Sequence, residues 1–150
     1  MKIYVASSWR NTRQPDVVLA LRDDHHEVYD FRHPCEGDDG FAWSDIDPEW
    51  QSWNPRQFRK ALDHPVALKG YGLDKAAMDW ADVCVLVMPC GRSAHLEAGY
   101  MAGAGKRVHV LLSPGEPELM YRLVLPLGEI HTDLQQVLET LFHVERSDVP

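Results

Sequence analysis

The stretch that decides the fold is DVCVLVMPCGRSAHLEAG, residues 82–99. Its five consecutive apolar residues from Val83 to Val87 show no polar alternation, which is typical of a strand covered on both faces in a parallel sheet. A short turn containing Gly91 follows, and then the start of a helix predicted over about 94–104. Because parallel sheets bind ligands just past the carboxyl ends of their strands, we expect a site at this turn and at the helix start.

Glu97 is the residue of this stretch that most needs an explanation. A carboxylate in the first turn of a helix is stabilised by the helix dipole, by about 0.3–1 kcal/mol. A capping box would place the glutamate three residues after the N-cap, whereas Glu97 lies four residues after Ser93. Carboxylates at the edge of such sheets are also common in ligand sites. The spacing alone therefore leaves a structural and a functional role equally open.

The other predicted elements alternate between strands and helices. Strands are expected at 2–6, 27–31, 82–88, 107–112 and near 122–130, and helices at about 12–24, 55–63, 72–81, 94–104 and 133–143. A strand, a helix and a second strand in succession predict a right-handed parallel crossover. The 150 residues, of which 45% are hydrophobic, therefore predict a single α/β domain over 1–150 with a doubly wound, Rossmann-like parallel sheet.

Residues 34–56 interrupt this alternation. They contain three prolines, two glycines and three tryptophans, and they predict a long ordered loop inserted in the domain. The aromatic side chains could stack on a nucleobase, a contact worth ~1–3 kcal/mol per base, or pack together as a small core under the loop. Both alternatives are open for Phe41, Trp43, Trp50 and Trp53.

Composition restricts the class of partner. The net charge of −8 and the lack of a basic run argue against a nucleic-acid polymer. No apolar stretch approaches the ~20 residues that cross a bilayer, so no membrane partner is expected. Three cysteines without a CxxC pair, in a chain without a leader pattern, predict a reducing, cytoplasmic location. His25, His26 and His33 lack an acidic or thiol partner at ligand spacing, so no metal is expected.

Three short segments resemble the nucleoside 2-deoxyribosyltransferase superfamily, which includes the 2′-deoxynucleoside 5′-monophosphate N-hydrolases. They are IYVASSWR at 3–10, Asp74 ahead of Ala81-Asp82-Val83, and Glu97-Ala98-Gly99 at a helix start. Together with the surrounding residues they extend over less than half of the chain. The resemblance implies a flavodoxin-like, three-layer α/β/α fold and an enzyme acting on the N-glycosidic bond of a (deoxy)nucleoside or its 5′-monophosphate, by hydrolysis or by transfer to another base.

The resemblance also implies roles for individual residues. Glu97 would attack the anomeric carbon and Asp74 would handle protons, with Asp79 as the alternative proton donor. The turns after the first strand and before the catalytic helix would hold the sugar or a phosphate. The expected substrate-binding residues are Tyr4, Ser8, Arg10, Gly91, Arg92 and Ser93. No metal or organic cofactor is implied, and subunits would pair as a homodimer or larger homo-oligomer.

The chemistry of N-glycosidic cleavage calls for these residue types. A carboxylate can stabilise the oxocarbenium-like transition state or trap it as a glycosyl ester. The departing base needs a proton from a second acid with a raised pKa. Arginine forks bind anionic oxygens strongly, so Arg10 and Arg92 favour a nucleotide over a nucleoside without phosphate.

Three other functions remain as alternatives. A domain similar to the Toll/interleukin-receptor type would use the same glutamate to split NAD. A module that has lost the chemistry would bind or sense nucleotides without turnover. Cys90 could instead act as a nucleophile with His95 as its base, although the nearby Glu97 disfavours a thiolate.

Overall fold

The computed structural model describes residues 1–147 of the chain. Its strands are β1 (Lys2–Ala6), β2 (Glu27–Asp30), β3 (Val83–Val87), β4 (Arg107–Leu111) and β5 (Ile130–His131). Its α-helices are α1 (Gln14–Asp23), α2 (Pro55–Ala61), α3 (Pro65–Trp80), α4 (Arg92–Gly103) and α5 (Leu134–Ser147). Short 3-10 helices occupy Trp43–Asp45, Trp50–Ser52 and Leu119–Leu123. None of the helices in this described part is both long and apolar enough to cross a membrane.

The five strands form one sheet in the order β2-β1-β3-β4-β5. The pairings of β1 with β3, β3 with β4, and β4 with β5 are parallel. This is the flavodoxin-like strand order, so the expected α/β class is confirmed. The order reverses between β1 and β3, and the crevice outside their carboxyl ends is where such sheets bind ligands.

Helices cover both faces of the sheet because side chains alternate along each strand. On one face, α1 and α5 bury their apolar sides against the strands, with a core that includes Ile3, Val5, Val17, Val18, Leu21, Val83, Val85, Val87, Leu111, Val137 and Leu141. The alternate residues Tyr4, Cys84 and Leu86 face the other way. Helix α4 packs on β3 and its neighbours and buries Ala94 and Ala98, which completes the third layer.

Three predicted boundaries are wrong. The structure starts α3 at Pro65 instead of near 72, and proline suits a first helical position because its missing N–H needs no partner. The last strand is only Ile130–His131, because Leu119–Leu123 closes into a 3-10 helix. Helix α4 starts at Arg92, which moves Glu97 from the first turn to the second. The helix dipole acts mainly on the first turn, so it does not explain Glu97.

The chain divides into two compact units. The first comprises residues 1–29 and 80–147, and it contains most of the sheet. The second, 30–79, contains the tryptophan-rich loop, where Trp43 makes edge contacts with Phe41, Trp53 and Phe58 at centroid distances of 4.7, 5.7 and 5.7 Å. These rings pack on one another, which favours the small-core alternative for them over base stacking.

Two glycines of α3 allow a matched test of this second unit. A Cβ on Gly70 would lie 2.9 Å from Cβ of Phe41 and 3.1 Å from its ring, whereas one on Gly72 would meet nothing within 4 Å. We expect Gly70→Ala to destabilise the protein by about 1–2 kcal/mol through overpacking. Gly72→Ala should stabilise it by up to about 1 kcal/mol, because alanine favours the helix. Urea unfolding of both variants measures the difference, and equal effects would contradict the packing of Phe41 on α3.

Two histidines form a buried pair on the face that α5 covers. His109 Nδ1 and His131 Nε2 lie 3.1 Å apart, and the two residues are 1% and 2% exposed. Burial, followed by the neighbouring His131 and Arg107, lowers the pKa of His109 to about 4. Burial also lowers the pKa of His131. Both rings are therefore neutral in the folded protein at neutral pH.

This pair predicts acid sensitivity with a defined sign. In the unfolded chain both histidines titrate near pH 6.5, so between about pH 6.5 and 4 the unfolded state binds more protons than the folded one. Stability should be full above pH 6.5 and fall as the pH drops through that window. We expect His109→Leu to flatten this dependence in urea unfolding at several pH values. The exposed His143→Gln should leave it unchanged, and equal slopes in wild type and His109→Leu would refute the assignment.

Candidate active site

Side chains at the start of α1 tie together the carboxyl ends of three strands. The hydroxyl of Ser7 donates to the carbonyl oxygen of Val87 at the end of β3 (2.9 Å). The amide of Asn11 donates to the same oxygen and to that of Pro89, both at 3.1 Å. Nη1 of Arg13 donates to the carbonyl oxygen of Leu112, just after β4, at 3.2 Å. The crevice between β1 and β3 therefore has fixed walls.

The turn after β1 carries two of the expected binding residues. Ser8 Oγ accepts a hydrogen bond from the backbone N–H of Arg10 at 3.2 Å, and the Ser8 carbonyl oxygen accepts one from the N–H of Asn11 at 3.0 Å. These bonds shape the turn and leave the side chain of Arg10 exposed.

The turn after β3 leads to three more of the expected binding residues. Gly91 is the N-cap of α4, and no side chain caps this helix end. A Cβ at Gly91 would meet nothing within 4 Å, so the space above the turn is open. Arg92 and Ser93 follow and are exposed. Among residues 1–144, whose side chains the structure describes, the guanidinium groups of Arg92 and Arg10 form no ion pair, so both are available to an anion.

Glu97 is half-buried in the second turn of α4. The charge of Glu97 affects the pKa of two nearby thiols. Burial, and after it the negative charge of Glu97, raise the pKa of Cys90 to about 11. The pKa of Cys84, a buried residue of β3, is raised by the same two causes in the same order. Cys84 lies beside Tyr4 in the sheet register, so Glu97 belongs to the face of the sheet on which Tyr4 lies.

Tyr4 is fully buried and stacks on Tyr29 of β2, with ring centroids 5.4 Å apart and 12° between the planes. The sequence left open whether Tyr4 reaches the site or packs in the interior. The structure shows that its ring packs against a neighbouring strand.

A polar network surrounds Cys90. His95 Nδ1 lies 2.8 Å from the carbonyl oxygen of Gly91 and 3.5 Å from Cys90 Sγ. His95 Nε2 lies 3.0 Å from the hydroxyl of Tyr121, and the two rings are nearly parallel. Cys90 and His95 are thus neighbours, as the cysteine-nucleophile alternative requires. The raised pKa keeps the thiol protonated at neutral pH, which argues against that alternative.

The two candidate proton donors lie on α3. Asp79 forms an ion pair with Lys75, whose Nζ is 2.5 Å from Asp79 Oδ2. This is an ordinary pair of side chains four residues apart on a helix, and it makes Asp79 the weaker candidate. Asp74 is half-buried one turn earlier in the same helix, and its role as proton donor stays a prediction.

Four residues of this region were not singled out from the sequence as parts of a site. Ser7, Asn11 and Arg13 hold the strand ends, and Tyr121 holds His95. The signal for Asn11 was present, because asparagine in the turn before a helix commonly bonds the backbone two residues on, as Asn11 Oδ1 does with Arg13 N at 2.8 Å. Tyr121 carried no such signal, since it comes from a distant turn.

No cluster of three or more His, Cys, Asp or Glu side chains suited to a metal ion occurs within the described residues.

Two solved structures share this architecture. A 2-deoxyribosyltransferase from the psychrotolerant bacterium Bacillus psychrosaccharolyticus aligns with a TM-score of 0.56 and 21% identity, over 92% of this chain and 90% of the other. A CMP N-glycosidase of Clostridium botulinum aligns with a TM-score of 0.53 and 16% identity, over 94% and 98%. No protein-family model and no curated protein sequence matches the chain. At these identities the likeness concerns the fold, and at that level the resemblance expected from the sequence is confirmed: the chain has the fold of these two enzymes.

Proposed function

We propose that the protein is an enzyme that cleaves the N-glycosidic bond of a (deoxy)nucleoside or of its 5′-monophosphate. The observation that carries this proposal is the position of Glu97, a half-buried carboxylate on the helix that follows the turn after β3, beside the crevice between β1 and β3. The fold is shared with a deoxyribosyltransferase and a CMP N-glycosidase, whose names describe this chemistry on their own substrates.

In the proposed reaction, a carboxylate oxygen of Glu97 attacks the anomeric carbon of the sugar. The bond from that carbon to the base nitrogen breaks, and its electron pair leaves with the base, which takes a proton from Asp74. The glycosyl ester on Glu97 is then attacked by water, which gives hydrolysis, or by a second base, which gives transfer, and the proton that the attacking group loses returns to Asp74. Either route returns Glu97 as a free carboxylate.

The anchoring groups favour a substrate with a phosphate. Arg10 and Arg92 follow β1 and β3, the two strands that flank the crevice, and both are exposed. An arginine fork binds a phosphate more strongly than it binds sugar hydroxyls. The free N–H groups at the start of α4 add a second source of positive potential. Ser8 and Ser93 would bind the sugar, and Tyr4 would support the site through its packing.

A substrate panel with one matched variant tests this function. Purified protein would be incubated with ribo- and deoxyribonucleosides, their 5′-monophosphates and NAD, and the released base would be measured by chromatography. Gly91→Ala adds a methyl group to open space, so it should leave folding unchanged and raise KM for monophosphates at least tenfold if a phosphate rests there. Release of nicotinamide alone would support the NAD-splitting alternative. Binding of nucleotides by the folded protein without any base release would support the non-catalytic module.

A further inference from the structure

The first turn of α4 is closed by a side chain as well as by the backbone. The backbone nitrogen of His95 lies 3.5 Å from the carbonyl oxygen of Gly91, which is long for the hydrogen bond that closes a helical turn. Nδ1 of the same residue lies only 2.8 Å from that oxygen. A carbonyl oxygen only accepts, so the neutral imidazole carries its proton on Nδ1 and donates it to Gly91. Nε2 is left with a lone pair.

Tyr121 completes this arrangement from the segment that follows β4. Its hydroxyl has one proton and two acceptors within reach, Nε2 of His95 at 3.0 Å and Sδ of Met88 at 3.2 Å. A thioether is a weak acceptor, so the imidazole nitrogen receives this proton. The donors therefore run in one direction, from Tyr121 to His95 and from His95 to the carbonyl oxygen of Gly91. They connect the turn after β3 to the 3-10 helix Leu119–Leu123.

We propose that His95 and Tyr121 are positioning residues for the substrate-binding turn at Gly91 and Arg92. The peptide bond between Gly91 and Arg92 is trans and planar, so a fixed Gly91 carbonyl also fixes the N–H of Arg92, which points in the opposite direction. No side chain caps this end of α4. A phosphate at the turn would therefore meet an N–H group whose direction His95 sets. This role rests on the proposed function, in which the turn binds the phosphate of the substrate.

The two ring nitrogens of His95 have separate tasks in this proposal. Nδ1 holds the carbonyl oxygen of Gly91, whereas Nε2 receives the proton of Tyr121. The side-chain nitrogen of asparagine can take the place of Nδ1, and that of glutamine can take the place of Nε2. His95→Asn therefore keeps the hydrogen bond to Gly91 and His95→Gln loses it, although both variants remove the imidazole.

The test measures nucleotide binding in a Glu97→Gln background, in which no glycosyl ester can form and the ligand is not consumed. The probes are the 5′-monophosphates of the common nucleosides and the same nucleosides without phosphate, and calorimetry gives the Kd of each. We expect His95→Gln to raise the Kd of the monophosphate about tenfold and to leave that of the nucleoside within about twofold. His95→Asn should keep both values within about threefold of the background protein.

A spectroscopic measurement checks the hydrogen bonds without any ligand. In nitrogen-15 NMR spectra at neutral pH, Nδ1 of His95 should be protonated and Nε2 should not, and the signals missing from His95→Asn identify this ring. An unprotonated Nδ1 in the wild type would overturn the proposal. If His95→Gln fails to fold in a thermal unfolding experiment, Tyr121→Phe takes its place, and an unchanged Kd of the monophosphate in that variant would contradict the positioning role.

The outcomes separate this role from the glycosidic function. Equal monophosphate affinities of His95→Gln and His95→Asn would overturn the positioning role, even if the wild type releases base. A loss of affinity confined to His95→Gln, in a protein whose wild type releases no base, would support the positioning role and contradict the glycosidic function. A background protein that binds monophosphates no more tightly than nucleosides would overturn the proposal, because the turn would then hold no phosphate.

Discussion

Glu97→Gln should reduce base release by roughly 10³-fold or more while leaving the protein folded, because glutamine has nearly the same shape but cannot act as a nucleophile. Without the carboxylate the glycosyl ester cannot form, so kcat should fall while substrate binding persists. Chromatographic measurement of released base, with the best substrate of the panel, determines the effect. Glu139→Gln on the exposed side of α5 is the matched control and should retain full activity.

The same variant has a readout that does not depend on any substrate. Burial and the charge of Glu97 together raise the pKa of Cys90 to about 11, so removal of the charge should lower that pKa, although burial still keeps it above the usual thiol range. Alkylation rates measured against pH in a Cys35→Ser background report the Cys90 thiol, since Cys84 is buried. A lowered pKa with unchanged base release would confirm the position of Glu97 and contradict its role as nucleophile.

Gly128→Ala should destabilise the protein strongly. Gly128 is buried where the chain enters β5, and an added Cβ would overlap the carbonyl oxygen of Val108 and lie 2.7 Å from its carbonyl carbon. Val108 belongs to β4 and is paired with β3, so its backbone cannot retreat without breaking the sheet. We expect a loss of about 4 kcal/mol in the free energy of unfolding and a fall of about 10 °C in Tm.

Gly115→Ala is the control for this prediction. Gly115 lies on an exposed loop, and an added Cβ meets nothing within 4 Å. Its free energy of unfolding should remain within about 0.5 kcal/mol of wild type. Urea unfolding of the two variants measures both free energies of unfolding. If Gly128→Ala remained within about 1 kcal/mol of wild type, the segment entering β5 would not approach β4 as closely as described.

The sequence predicts the sheet well because its signals are local. The unbroken apolar run of β3 and the alternation of strands and helices were sufficient for the strand class and the parallel order. Contacts between distant residues account for part of what the sequence does not predict. Gly70 lies inside α3 and makes room there for Phe41. No local sequence pattern indicates this contact.

The candidate site divides in the same way. Glu97, Arg92 and Gly91 follow a recognisable strand, so their place at its carboxyl end could be predicted. Tyr121 and the pair of His109 and His131 could not, because their partners are 26 and 22 residues away in sequence and meet only through the tertiary fold. The tryptophans of the loop stand out in the composition, but composition alone does not distinguish base stacking from a small core, because the two differ only in what the rings contact.

The ties between the strand ends have a consequence for sequence drift. Ser7, Asn11 and Arg13 all donate to backbone carbonyl oxygens, which every residue type provides. Val87, Pro89 and Leu112 can therefore be replaced without removing these hydrogen bonds, whereas the three donors cannot. Selection should act unevenly on the two sides of each bond, so the lining of the crevice can diversify toward new substrates while its frame is retained.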